Sequence, residues 1–229
     1  MDSQAPPPAL SPEQRSLQKR RKRLISSTAF GVLIALAGGG VWAYFSYRPA
    51  QAQVLEREGT SLLGPGHYQE AVDRFNQALE LQPNRSGIYA KRGLAYQNLG
   101  RMDLALQDYE TALLADPNLT AVFTARGIIY RERGDLPKAI EEFSRALKIH
   151  EDPDTYYERA QTYDLQGEHG KAIADFDNVI ARLRDAPHVL RARAQSKLKL
   201  GDREGYEADL AEARAFETRA YGAVIGAKQ

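Results

Sequence analysis

Histidine and paired carboxylates are the side chains in this sequence most able to move a proton or hold a metal. The chain has four histidines, His67, His150, His169 and His188, and no cysteine. No two histidines stand three or four residues apart, so none would share a helix face as zinc ligands do. Each reads instead as a surface residue in a turn or at a helix end. The lack of cysteine excludes disulfides, thiolate metal sites and a thiol nucleophile. Glu141 and Glu142 are adjacent, and adjacent helical residues point to different faces, which suits a solvated surface better than acid–base catalysis. Gly38-Gly39-Gly40 lies within an apolar run and not between a strand and a helix, so it is no phosphate loop. The sequence predicts no enzyme, no cofactor and no metal.

A second set of charges recurs at a fixed interval. Glu58 and Arg74, Arg92 and Asp108, Arg126 and Glu142, Arg159 and Asp175, and Arg193 and Asp209 are each sixteen residues apart and opposite in sign. They predict ion pairs between neighbouring helices, worth under ~1 kcal/mol each where exposed. A column of ligand-binding arginines is the other reading.

The elements that would position these charges repeat as well. Small residues recur at Gly59, Gly93, Gly127, Ala160 and Ala194, spaced by 34, 34, 33 and 34. A second column reads Ala71, Ala105, Ala139, Ala172 and Tyr206. Bulky residues follow at Phe75, Tyr109, Phe143, Phe176 and Leu210, and small ones again at Ala78, Ala112, Ala146, Val179 and Ala213. Glycines 66, 100, 134, 167 and 201 punctuate each unit, where a left-handed residue can end a helix. Pro83 and Pro117 close the first two units, and Pro153 and Pro187 open the last two. Small residues such as Gly93 and Ala105 would let two antiparallel helices approach, with Tyr109 filling the gap to the next pair.

In these columns, over roughly residues 52–219, the chain resembles the tetratricopeptide-repeat (TPR) family. The resemblance implies an all-α fold: a right-handed α-solenoid of about five helix pairs, with repeats near 52–85, 86–119, 120–152, 153–186 and 187–219. The third repeat is one residue short, which would tilt the array locally. In the fifth, Tyr206 replaces a small residue and Lys197 stands where Leu62, Tyr96, Tyr130 and Tyr163 stand before, as a solvent-facing cap requires. The last helix would continue past Phe216 and weaken at Gly222 and Gly226, leaving 220–229 as a tail.

The resemblance also implies a concave groove lined by the first helix of each repeat, binding a peptide or helix of another protein. Carried onto this sequence, the partner-binding positions are Lys91, Gln97, Arg131, Tyr157, Gln161, Asp164, Arg191 and Gln195. Glu56, Thr60, Leu94, Thr124, Ile128 and Leu198 share that face. A chaperone dicarboxylate clamp is not expected, because its places here read Glu56, Thr60, Lys91, Ala121 and Ala125, with one basic group and no asparagine.

The N-terminal part differs. Residues 1–23 hold six basic and two acidic groups, including the run from Lys19 to Arg23, and read as a disordered cytoplasmic tail. Leu24 to Tyr47 is 24 residues without a charge, roughly 36 Å as a helix at ~1.5 Å per residue. That is enough to cross a bilayer core. The basic run before it keeps the N-terminus in the cytoplasm and puts residues 48–229, with the TPR domain over 48–219, on the other side, as in a bacterial inner-membrane protein facing the periplasm. The expectation is a membrane-anchored scaffold or adaptor, serving envelope-complex assembly or secretion. The alternative is cleavage near Ala52, where Ala50-Gln51-Ala52 has the small-x-small form, releasing a secreted TPR protein. Beyond residue 23 acidic groups outnumber basic ones, 28 to 25, so nucleic acid is not an expected partner.

Overall fold

The structure, a computed structural model, describes residues 48–183 and 186–226. The stretch 24–47, read above as a membrane anchor, lies outside the described residues, as does the basic tail. No helix among the described residues is long and apolar enough to cross a membrane. The chain divides into two units, residues 1–54 and 55–229; the repeats belong to the second.

Ten helices and no strand appear among the described residues. Helix α1 covers 48–63. It is followed by α2 (Tyr68–Leu81), α3 (Ser86–Asn98), α4 (Met102–Ala115), α5 (Thr120–Glu132) and α6 (Leu136–Ile149). Then come α7 (Pro153–Gln166), α8 (His169–Arg182), α9 (Pro187–Lys199) and α10 (Arg203–Gly226). Each helix from α2 onward packs on the next, and the first helices of neighbouring repeats also touch, α3 on α5 and α5 on α7. This is an all-α solenoid of helix pairs. Helix α4 packs on α5 over a smaller stretch than α2 on α3, α6 on α7 or α8 on α9.

The turn inside each repeat has one geometry. Gly100 has φ 72°, and the N–H of Arg101 donates back to the carbonyl of Tyr96 at 2.9 Å. That six-residue closure satisfies a carbonyl that the end of α3 would otherwise orphan. Glycines 66, 134, 167 and 201 repeat the positive φ. Pro153 and Pro187 sit in the first turns of α7 and α9, where a missing N–H costs nothing.

The small-residue column works differently from the expected approach of Gly93 to Ala105. The space of the missing side chain is taken by the ring of the same repeat's second helix. A Cβ on Gly93 would lie 2.6 Å from Tyr109, and one on Gly127 2.6 Å from Phe143. The rings of Phe75, Tyr109, Phe143 and Phe176 are all buried, together with Ala71, Ala105, Ala139 and Ala172 of the same helices. The last helix continues past Phe216 and runs through Gly222 to Gly226.

The sixteen-residue pairs are formed, and in four of the five the carboxylate is buried. Arg74 and Glu58 are about half exposed at 3.3 Å. In contrast, Asp108, Glu142, Asp175 and Asp209 are buried. Arg92 donates Nε and Nη2 to both oxygens of Asp108 at 2.8 and 2.7 Å. Arg159 does the same to Asp175, and Arg193 to Asp209. These bidentate bonds are the strong kind, and those to Asp108 raise the Arg92 pKa above its ordinary value. Aromatic rings clamp two of the cations: Tyr89 and Tyr96 flank Arg92 at 5.3 and 5.8 Å, and Tyr156 and Tyr163 flank Arg159. The remaining Nη1 reaches back to the preceding repeat, from Arg92 to Asn76, Arg159 to Ser144 and Arg193 to Asp177. These three guanidinium groups are therefore occupied by their own chain and do not form a ligand-binding column.

Lys197 is a second correction. It is not a solvent-facing cap residue: its Nζ lies 3.0 Å from Asp209 and joins Arg193 on that carboxylate.

The third repeat departs from its neighbours. Glu142 is one methylene longer than the aspartates at the equivalent places. Arg126 Nη2 is 3.3 Å from Glu142 Oε1, while Arg126 Nε and Glu142 Oε2 are buried without a hydrogen-bond partner. Burial raises the Glu142 pKa despite Arg126 and Arg145 nearby. Glu142→Asp is expected to restore the bidentate pair and add about 1 kcal/mol, a rise of roughly 2–4 °C in Tm for a chain of this size. A raised carboxyl pKa means wild type regains stability as the pH falls through it towards the ordinary 4.5. The advantage of the variant in urea unfolding should therefore narrow from pH 7 to pH 5. An unchanged Tm at neutral pH would show that the orphaned groups cost nothing.

Candidate binding grooves

Two hollows open along the first helices. The first, of about 420 Å³, lies between α3, α5 and the start of α7. Leu94, Ala121, Ala125 and Ile128 give it apolar walls, and Gln97, Thr124 and Thr155 give it polar ones. Tyr109 donates its hydroxyl to Gln97 Oε1 at 2.9 Å, which orients that amide, and Thr124 and Thr155 hydroxyls meet at 2.9 Å. Asp152 caps α7 by accepting the N–H of Thr155 at 2.9 Å. Asp152 and Asp154 both line the hollow, with His150 beside them.

The second hollow, of about 380 Å³, lies one repeat on, between α5, α7 and α9 with Phe176 of α8. It brings together Arg131, Gln161, Asp164 and Gln195, four of the eight positions singled out in the sequence. Lys199 and the exposed Leu165 complete it. Arg131 Nη1 donates to Gln161 Oε1 at 3.2 Å and sits 2.6 Å from Glu158 Oε2, a contact too poorly aligned to be a hydrogen bond. Asp164 accepts from the Ser196 hydroxyl at 2.7 Å and meets His169 Nδ1 at 2.8 Å.

The other four positions fare differently. Gln97 lines the first hollow. Lys91 is tied to Glu56 at 2.7 Å and Arg191 to Glu217 at 2.6 Å. Tyr157 stacks its edge on His188 and tilts over Phe176, so most of its face serves packing. The three basic groups of the set thus each have a carboxylate of their own chain. Sequence reasoning missed Asp152, Asp154 and Thr155. The Asp-Pro-Asp-Thr order could have flagged them, since an aspartate before a proline is a helix-start signal. Among the described residues no group of three or more His, Asp or Glu side chains is gathered for a metal ion.

Family models of the TPR repeat match residues 65–100 and 127–167, and two further tetratricopeptide-repeat models match 87–119 and 153–182. The chain is a tetratricopeptide-repeat protein. No curated protein matches its sequence. Several solved TPR-like structures share its fold. A MamA structure from Desulfovibrio magneticus RS-1 is 15% identical, with TM-score 0.67, covering 74% of this chain and 96% of that one. PilF of Pseudomonas aeruginosa is 19% identical, with TM-score 0.65, covering 79% and 91%. A tetratricopeptide repeat protein from Parabacteroides merdae is 23% identical, with TM-score 0.60, covering 73% and 66%. At these identities the likeness concerns the fold of the TPR protein alone.

Proposed function

We propose that this TPR protein is a scaffold that holds a segment of another protein against the first helices of its repeats, tethered to a membrane by residues 24–47. The observation that carries the binding reading is the pair of open hollows, each spanning three successive first helices and each mixing apolar walls with carboxamide groups. Pockets of several hundred Å³ with a few convergent polar groups are the usual form of a binding site. The tether rests on the uncharged stretch from Leu24 to Tyr47 and the basic run before it, which also put the repeats on the non-cytoplasmic face. Assembly of an envelope or secretion complex is the setting that this layout suits. Release at Ala52 is the second reading, favoured by Ala50-Gln51-Ala52, and the mass of the mature chain separates the two.

Because Lys91, Arg131 and Arg191 serve internal pairs, reversing their charge would perturb the fold as well as the groove. Filling the hollows is cleaner. The full chain in detergent, its Ala121→Trp and Gln195→Trp variants, and a Leu114→Trp control on the exposed side of α4 should be compared for partners captured from host membranes. Loss of the same partners in the hollow variants, with retention in the control, is the expected result. Equal capture by all four would end the groove reading.

A further inference from the structure

The two hollows differ in charge. No lysine or arginine lines the first, between α3, α5 and α7, while Asp152 and Asp154 do. Other carboxylates on this face are already matched: Glu56 by Arg85 and Lys91, Glu158 by Arg131, Asp164 by His169 and Ser196. Asp154 is exposed and makes no side-chain hydrogen bond or ion pair among the described residues. Asp152 spends one oxygen, Oδ2, on the cap and the hydroxyl of Thr155. The start of α7 offers about +0.5 of a charge against these two carboxylates, so the hollow remains negative. Below them, Leu94, Ala121, Ala125 and Ile128 form an apolar wall.

An apolar wall under an anionic rim matches a side chain with an aliphatic stem and a cationic head. Resting on the groove reading above, we propose that this hollow takes a lysine or arginine side chain of the partner segment. The stem lies along Leu94 and Ile128, and the head reaches the free oxygens of Asp154 and Asp152. The Gln97 amide, its oxygen held by Tyr109, turns its N–H groups to the partner's backbone carbonyls. The hollow is therefore the place where the scaffold selects its partner by charge, and the second hollow, which contains Arg131 and Lys199, does not share that preference.

A displayed library of random heptapeptides selected on the purified full chain tests this. Peptides that wild type retains and Ala121→Trp loses report on the hollow. Among these, lysine or arginine should be enriched beside an aliphatic residue. Asp154→Asn should weaken them about two- to fivefold, as expected for one exposed charge pair. Asp154→Lys should exchange the basic preference for an acidic one, with unchanged thermal unfolding showing that the fold is intact. Peptides sensitive to Ala121→Trp but indifferent to charge, or a basic preference that survives Asp154→Lys, would overturn the proposal and leave the groove reading standing. No peptide sensitive to Ala121→Trp would overturn it as well, and the groove reading would fall with it only if Gln195→Trp also left every peptide bound.

Discussion

Asp108→Ala is expected to lower the unfolding free energy by about 3–5 kcal/mol, because it leaves a buried guanidinium without its counter-ion. Side-chain exposure is 18% at Arg92 and 7% at Asp108, so water cannot replace the lost oxygens. The remaining partner, Asn76 at 2.7 Å, is neutral, as are the rings of Tyr89 and Tyr96 that flank the head at 5.3 and 5.8 Å. Asp103, which is 93% exposed and pairs with Arg133, is the control: its alanine variant should change stability by less than ~1 kcal/mol. Replacing both Arg92 and Asp108 by leucine should cost far less than the single change, since it removes the charge and keeps the volume. Urea unfolding of the three variants checks this. A single variant that loses under 1 kcal/mol would mean that the pair is hydrated.

The second large effect concerns Phe143, whose ring is fully buried over Gly127. Phe143→Ala should cost about 3–5 kcal/mol, the loss of a packed ring plus the cavity left behind. The partner change should reverse sign with context. In wild type, Gly127→Ala pushes a Cβ to within 2.6 Å of the ring, an overpacking of about 1–3 kcal/mol. That is only partly offset by the ~1 kcal/mol that alanine gains over glycine inside a helix. In the Phe143→Ala background the clash is gone and the same substitution should stabilise by about 1 kcal/mol. A double-mutant cycle reads the coupling directly. Equal effects of Gly127→Ala in both backgrounds would show that glycine is there for another reason. Repeats four and five already hold alanine at the matching places, Ala160 and Ala194, the latter opposite Leu210.

The repeat was legible because every copy needs the same close approach and the same left-handed turn, so glycine, alanine and aromatic residues recur in phase. The sign pattern of the sixteen-residue pairs was legible for the same reason. Their burial was not, because the residues three before and four after the arginine follow no fixed type: Tyr89 and Tyr96 flank Arg92, Phe123 and Tyr130 flank Arg126, and Leu190 and Lys197 flank Arg193. Nor was the backward bond to the preceding repeat, which falls on Asn76, Ser144 and Asp177, three residue types without a common sign. On the groove face, the resemblance to the TPR family implied a shared surface for Gln161, Asp164, Arg131 and Gln195, and these four line one hollow. It could not show that Lys91 and Arg191 are held by Glu56 and Glu217, since those partners come from other helices and obey no repeat. The missing residue of the third repeat was read as a local tilt. Its visible result is Asp152 as the cap of α7, which delivers two carboxylates to the first hollow.

The loose packing of α4 on α5 bears on how a guest would be felt. Stability in such arrays is a chain of neighbour terms, and the weakest link opens first. At this seam Arg126 makes no backward bond of the kind seen at the other three junctions among the described residues. The first hollow bridges the same seam, with α3 on one side and α5 and α7 on the other. An occupant there would act as a staple, tightening the join in proportion to its affinity. Docking at one small depression would in this way be transmitted as stiffness along the whole rod of repeats.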